Sequence, residues 1–371
     1  MRKKLSIVGL LAAAALTLVC AACVIAYFVT SGRLDSQKAA ERWQGESEQS
    51  FSQVSCFIPV DRRVSLNEIY RFRNELQKRF REAALDDSEE KLFNDAWCTT
   101  GTVRISRLGG GSGEVGVIAV GGSFFDFHPI RLISGAYISQ DDLMQDRVLL
   151  DEECAWLLYG GTELSGLNVD INGQHFVVAG VIRREEDKFT RRAYSDGMGI
   201  YMSYDAYASL MLGGTTEGET AVNVAAVDGV SCYELVMADP VKGFAYSTVT
   251  DKFPAKDAEV IENSTRFDAS RLLKASLHPG LRTLQTKGVA LPYWENAARL
   301  CESRCMLLLV VAVFSAIYPI GFVTWLLIGL GKHGADKLRE DIVPDRKEKL
   351  SEWVRQRQRR RWEKQHPGWR G

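Results

Sequence analysis

The sequence predicts an α+β protein: two membrane-spanning helices flank an outer, discontinuous domain of β-α-β halves with a small inserted α+β unit. Three observations predict it. Two long uncharged runs lie near the ends of the chain, the hydrophobic period between them switches between that of strands and that of helices, and Lys and Arg gather at the two termini. With 371 residues the chain holds one large domain or two ordinary ones. Its composition, 46% hydrophobic and 25% charged, is that of a globular protein, so membrane character has to reside in local runs.

The first run, residues 5–29, has no charge across 25 positions. At about 1.5 Å per residue it exceeds the roughly 30 Å of a hydrocarbon core. The preceding Met1-Arg2-Lys3-Lys4 also suits a secretory signal. However, the run is longer than the roughly 7–15 apolar residues of a signal, no small-x-small site closes it, and a lipoprotein signal ending at Cys23 would want Leu where Cys20 stands. It is read as a retained anchor. The second run, residues 306–330, is again 25 uncharged residues and carries Pro319 and Gly321, which membrane helices tolerate. Residues 2–4 carry a charge of +3 and residues 332–371 a net +6; because the whole chain is −1, residues 5–331 sum to −10. Basic flanks stay in the cytoplasm. Residues 1–4 and the basic tail 331–371 are therefore expected inside the cytoplasmic membrane, with the main domain outside it.

Residues 30–50 are polar and read as a helical extension or linker. Phe51 to Val60 suits a strand stopped by Pro59, and Ser65 with Glu68 three residues on is a capping box. Leu66, Ile69, Tyr70, Phe72, Leu76 and Phe80 then follow at near-helical spacing. Residues 98–108 and 115–120 read as strands about the glycine-rich turn 109–113. That turn lacks the Gly-Lys-Ser/Thr ending and following helix of a phosphate loop, and no such motif occurs elsewhere. Further on, 148–150 is a strand, 152–159 a helix stopped by Gly160-Gly161, and 167–171 a strand turning at Asn172-Gly173 into the strand 175–182. A strand at 200–203 and a helix at 205–212 end at a polar break, 213–220. The first pattern then resumes: strand 233–237, a helix over 240–253 with Pro240 in its first turn, and strand 258–261. Two halves, 51–122 and 221–265, are expected to share one sheet, with 124–212 inserted as a satellite and 266–305 as a membrane-proximal helical segment.

The inserted unit carries a resemblance. Gly122-Ser123-Phe124-Phe125-Asp126-Phe127, Leu132-Ile133-Ser134-Gly135, Asp141-Asp142, Val148-Leu149-Leu150-Asp151, Leu157-Leu158-Tyr159-Gly160 and Ile171-Asn172-Gly173, with Phe176 to Ile182, resemble in order and spacing the MacB-like periplasmic core domain. That domain belongs to ABC-transporter permeases of the MacB/FtsX type. The resemblance covers most of residues 50–265. It implies a porter-like subdomain (51–122 and 221–265) interrupted by a sabre-like one (124–212), and ATP bound only by a separate cytoplasmic subunit. Permeases of this type have four membrane helices, three of them after the core domain, whereas one apolar run follows it here. The resemblance therefore implies a non-catalytic subunit of an export or mechanotransmission complex, partnered by an ABC ATPase, a fuller permease, and a peptide, lipoprotein or cell-wall component. The alternative is a membrane-anchored ligand-binding or sensor module with no part in transport.

Tyr293, Trp294, Glu295 and Arg299, just before the second run, are the candidate coupling residues. Tyr and Trp there also suit plain anchoring at the membrane interface, and Glu295 with Arg299 suits an exposed helical pair of about 0.2–0.5 kcal/mol. The charged segment 337–364, with Leu350, Trp353, Val354 and Trp362 as sparse apolar points, suits either anionic lipid or a nucleotide-binding subunit. Its interspersed acids argue against nucleic acid. No metal or catalytic residue is named: His128, His175 and His278 lack ligand spacing, there is no Gly-x-Ser-x-Gly elbow, and Asp141, Asp142, Glu185, Glu186 and Asp187 read as loop charges. Six cysteines lie outside the first run, and their pairing is not legible; Cys301 and Cys305 alone are a weak metal pair.

Overall fold

The computed structural model describes residues 2–85, 92–107, 109–139, 142–194, 199–213, 229–277 and 291–365. Leu108, Asp141, His278, the boundary at 221 and most of the break expected at 213–220 lie outside them. The chain forms two units, one of Met1–Ile25 with Val310–Gly371 and one of Ala26–Leu309.

Ile7–Ser31 of helix α1 (Arg2–Ser31) and Tyr293–Lys332 of the last helix are each long and apolar enough to cross a membrane. Their large apolar side chains, among them Leu11, Leu18, Phe314, Ile317 and Trp325, are exposed, as side chains facing lipid are. The residues buried within the pair are small, Ala13, Ala312 and Ser315. A Cβ at Gly9 would stand 3.1 Å from the Phe322 ring, so glycine there makes room for that ring.

The second unit starts with a short α2 (Ala39–Gln44), which is docked and not a free linker. The buried Gln53 accepts from Ala39 N at 3.0 Å and donates to Ser36 O at 2.8 Å. Strand β1 (Phe51–Phe57) leads to α3 (Leu66–Glu82), where the Ser65–Glu68 capping box forms as expected and Ile69, Phe72, Leu76 and Phe80 are the buried stripe. Strands β2 (Phe93–Ser106) and β3 (Ser112–Gly122) form a hairpin longer than the alternation suggested. After it come α4 (Phe124–Phe127), β4 (Arg131–Gly135), β5 (Arg147–Asp151), α5 (Glu152–Tyr159), β6 (Asn168–Ile171), β7 (Gln174–Arg183), α6 (Lys188–Ala193), β8 (Gly199–Ser203) and α7 (Tyr204–Gly213). Strand β9 (Cys232–Ala238), α8 (Phe244–Lys252), β10 (Glu259–Glu262), α9 (Ala269–Ser276) and α10 (Tyr293–Gln365) complete the described residues.

The sheet order is β10-β1-β9-β2-β3-β8-β5-β7-β4. In each β-α-β half the two strands are not neighbours: β9 lies between β1 and β2, and β1 lies between β9 and β10, all antiparallel. The halves are interleaved, so neither can complete its pairing without the other. Nor is the inserted unit a satellite. Strand β3 pairs in parallel with β8, and β6 pairs with both β7 and β2, so β2, β3, β8, β5, β7 and β6 close into a ring. Val103, Ile105, Val115 and Val117 of the hairpin share its core with Val148, Leu150, Ile171, Val178 and Met202. The long hairpin thus serves both subdomains.

Proline at 240 does not start a helix. Asp239 accepts from Ala245 N at 2.9 Å and Gly243 N at 3.3 Å, and this cap holds residues 240–243 as a turn before α8 begins at Phe244. Across the interleaved strands, alternate residues separate two cores. Val54, Cys56, Tyr233, Leu235 and Met237 pack under α3 and α8. Phe57, Ala96, Cys98, Cys232 and Val236 face the other way, under α2, α4 and Trp294.

Candidate coupling site at the start of the last helix

The first turns of α10 pack on that second face. Trp294 is only 2% exposed, with its ring 4.4 Å from His128 and 5.6 Å from Phe124. Tyr293 stacks on Tyr194 at 4.2 Å, and its hydroxyl lies 3.2 Å from that of Tyr201. Both aromatic residues are therefore part of the domain's own packing. Beside Tyr293 lies a cavity of about 190 Å³ lined by Thr100, Ile118, Arg184, Tyr194, Tyr201 and Asn296 among others.

Glu295 and Arg299 pair as their spacing allows, inside a larger and mostly buried network. Glu295 is 1% exposed and receives two bonds from Arg266, at 2.6 and 2.9 Å, as well as one from Arg299 at 2.8 Å. Arg266, itself 2% exposed, also donates to Glu302 at 3.0 Å, and Arg299 reaches Glu259 on β10 at 2.7 Å. Desolvation alone would lower the Arg266 pKa, but the two carboxylates outweigh it and push the pKa up, so the guanidinium stays charged. Two carboxylates seven residues apart on one helix, both buried, require a cation from elsewhere. That spacing was the available signal; the identity of Arg266 was not legible, because it sits in a loop 29 residues from Glu295.

Under Trp294 lies a second polar group that sequence reasoning missed. His128 contacts Glu234, whose other oxygen accepts from Ser55 Oγ at 2.9 Å, and Ser55 accepts from Asn263 at 2.9 Å. All four are buried. His175, by contrast, is exposed beside Asp170. Asp187 is no loose charge: it caps α6, accepting from Phe189 N and Thr190 N at 2.8 and 3.0 Å. Asp142 pairs with Arg147 at 3.3 Å. Among the described residues no group of three or more His, Cys, Asp or Glu could hold a metal ion.

No protein-family model and no curated protein sequence matches the chain. Solved structures similar to it include the periplasmic region of MacB from Actinobacillus actinomycetemcomitans, 16% identical, with a TM-score of 0.39 over 65% of this chain and 98% of that one. Another is the extracellular domain of the ABC-type transporter YknZ from Gram-positive bacteria, 12% identical, with a TM-score of 0.36 over 57% of this chain and all of that one.

Proposed function

We propose that this chain is a non-catalytic membrane subunit of a MacB/FtsX-type ABC export or mechanotransmission complex, in which α10 couples the outer domain to partner subunits. One observation carries the reading: the first turns of α10, ahead of the second apolar run, are keyed into the outer domain by a buried aromatic and a buried ion-pair network. The ordered resemblance of residues 122–182 supports the family. Basic flanks at both ends support cytoplasmic termini, within reach of a nucleotide-binding subunit. The exposed Leu350, Trp353, Val354 and Trp362 of α10 give that subunit apolar points to cover. ATP would be bound there and not here.

Affinity purification of the full chain in mild detergent from its native membrane is expected to recover an ABC ATPase and a permease with more membrane helices. Deleting residues 335–371 should abolish recovery of the ATPase, and unchanged recovery would overturn the coupling role of the tail. The cavity beside Tyr293 favours a second reading, an anchored ligand-binding or sensor module. Recovery of the chain alone, binding a peptide or glycan, would select it.

A further inference from the structure

The register of the sheet sets two cysteines, both free thiols in this structure, opposite each other. Cys98 on β2 and Cys232 on β9 are directly opposed in an antiparallel pair, and both point to the same face, each 1% exposed. Opposed residues in such a pair have Cα atoms about 4.5–5.5 Å apart, inside the range of about 4.4–6.8 Å that a disulfide spans. The other thiols of the domain are differently placed: Cys56 faces the opposite core, Cys154 lies in the ring, and Cys301 and Cys305 are on α10. We propose that Cys98 and Cys232 are a disulfide site, a staple that ties β2 to β9 across the whole inserted unit. It rests on the outer location proposed above, because an oxidising compartment is where such bonds persist.

Timing follows from burial. In the folded domain the Cys232 thiol is held well above its ordinary pKa by desolvation and by Cys98 beside it, so little thiolate is present to react. The bond must therefore form before α2, α4 and Trp294 cover the face. The thiolate of one cysteine attacks a disulfide donor, such as an oxidised dithiol protein, and breaks the donor's S–S bond to give a mixed disulfide. The second thiolate then attacks the sulfur of the first, and the donor leaves carrying both electrons. Because the loop closed is long, the staple removes much denatured-state entropy. It fixes the strand junction where the interleaved halves meet the ring.

The test uses full-length protein in cells quenched with acid, denatured, blocked with N-ethylmaleimide and digested for mass spectrometry. The expected product is a peptide pair linked through Cys98 and Cys232, lighter than the free peptides by two hydrogens, with Cys56 and Cys154 alkylated. A Val241→Cys variant, at an exposed position of the same domain, reports topology through an impermeant maleimide. If the reporter is labelled from outside while both Cys98 and Cys232 are alkylated, the staple is overturned and the topology stands. If the reporter is labelled only after lysis, the topology fails. The pair is then judged on purified chain refolded in oxidised and reduced glutathione: a dominant Cys98–Cys232 link upholds it, and scrambled or absent links overturn it.

Discussion

The weight of Arg266 is measured by what its removal would leave behind. Two carboxylates of α10, those of Glu295 and Glu302, share its guanidinium in a site nearly closed to water. Arg266→Met should therefore cost about 3–5 kcal/mol, the usual cost of breaking a buried pair on one side. Replacing all three together by Met and Leu should recover most of that loss, since the cost lies in stranded charge. Denaturant unfolding in detergent, followed by tryptophan fluorescence, checks both; a single-variant loss below about 1 kcal/mol would mean that water reaches the site. Trp294 gives the apolar counterpart. Its indole Nε1 has no hydrogen-bond partner among the described residues, so Trp294→Phe forfeits packing but no bond. That change should cost far less than Trp294→Ala, expected at about 3–5 kcal/mol. Tyr293, Trp294, Glu295 and Arg299 were legible in the sequence as a group because they cluster before an apolar run. The burial of Trp294 and Glu295 was not, because it depends on Arg266 and His128, which only the fold brings near.

At the scale of elements, the edge strand β4 is held by backbone conformations that side chains would forbid. The register of β4 on β7 shifts between Leu132 and Ser134, and Gly135 follows with φ of +78°. Opposite it, a Cβ on Gly180 would lie 2.4 Å from Ser134 O. This is a bulge with glycine on both sides, the form in which strands bend sharply without losing pairing. Gly180→Val should unpair β4 while the ring strands remain paired, seen as faster amide hydrogen exchange confined to residues 131–135; unchanged exchange there would show that the strands yield to the extra carbons. The local signals were readable from the chain: the capping box of α3, the Asn172-Gly173 turn, and the strand at 233–237. The closure of β2 through β8 and β7 back to β6 was not. Ring closure is a long-range pairing, and a strand's alternation shows which face is buried without naming its neighbour.

For the whole molecule, the question is whether α10 acts as a lever or as a rope. Its assigned helix runs from the keyed residues Tyr293 and Trp294 to Gln365, through the apolar run that residues 306–330 define. If motion passes along it, the angular phase of everything beyond the membrane matters, and phase can be changed without changing composition. An α-helix turns about 100° per residue, so two alanines inserted between Lys332 and His333 rotate the tail by about 200°, while seven return it to within about 20° of its original phase. The two-residue insertion should uncouple ATP hydrolysis by the co-purified complex from the outer domain. The seven-residue insertion, although longer, should keep the two coupled. ATPase activity measured with wild-type and Arg266→Met outer domains supplies the readout, because only a coupled helix lets a change at Arg266 reach the cytoplasmic subunit. Equal behaviour of the two insertions would reduce α10 to an anchor. It would then leave the outer domain to act through whatever covers its surface.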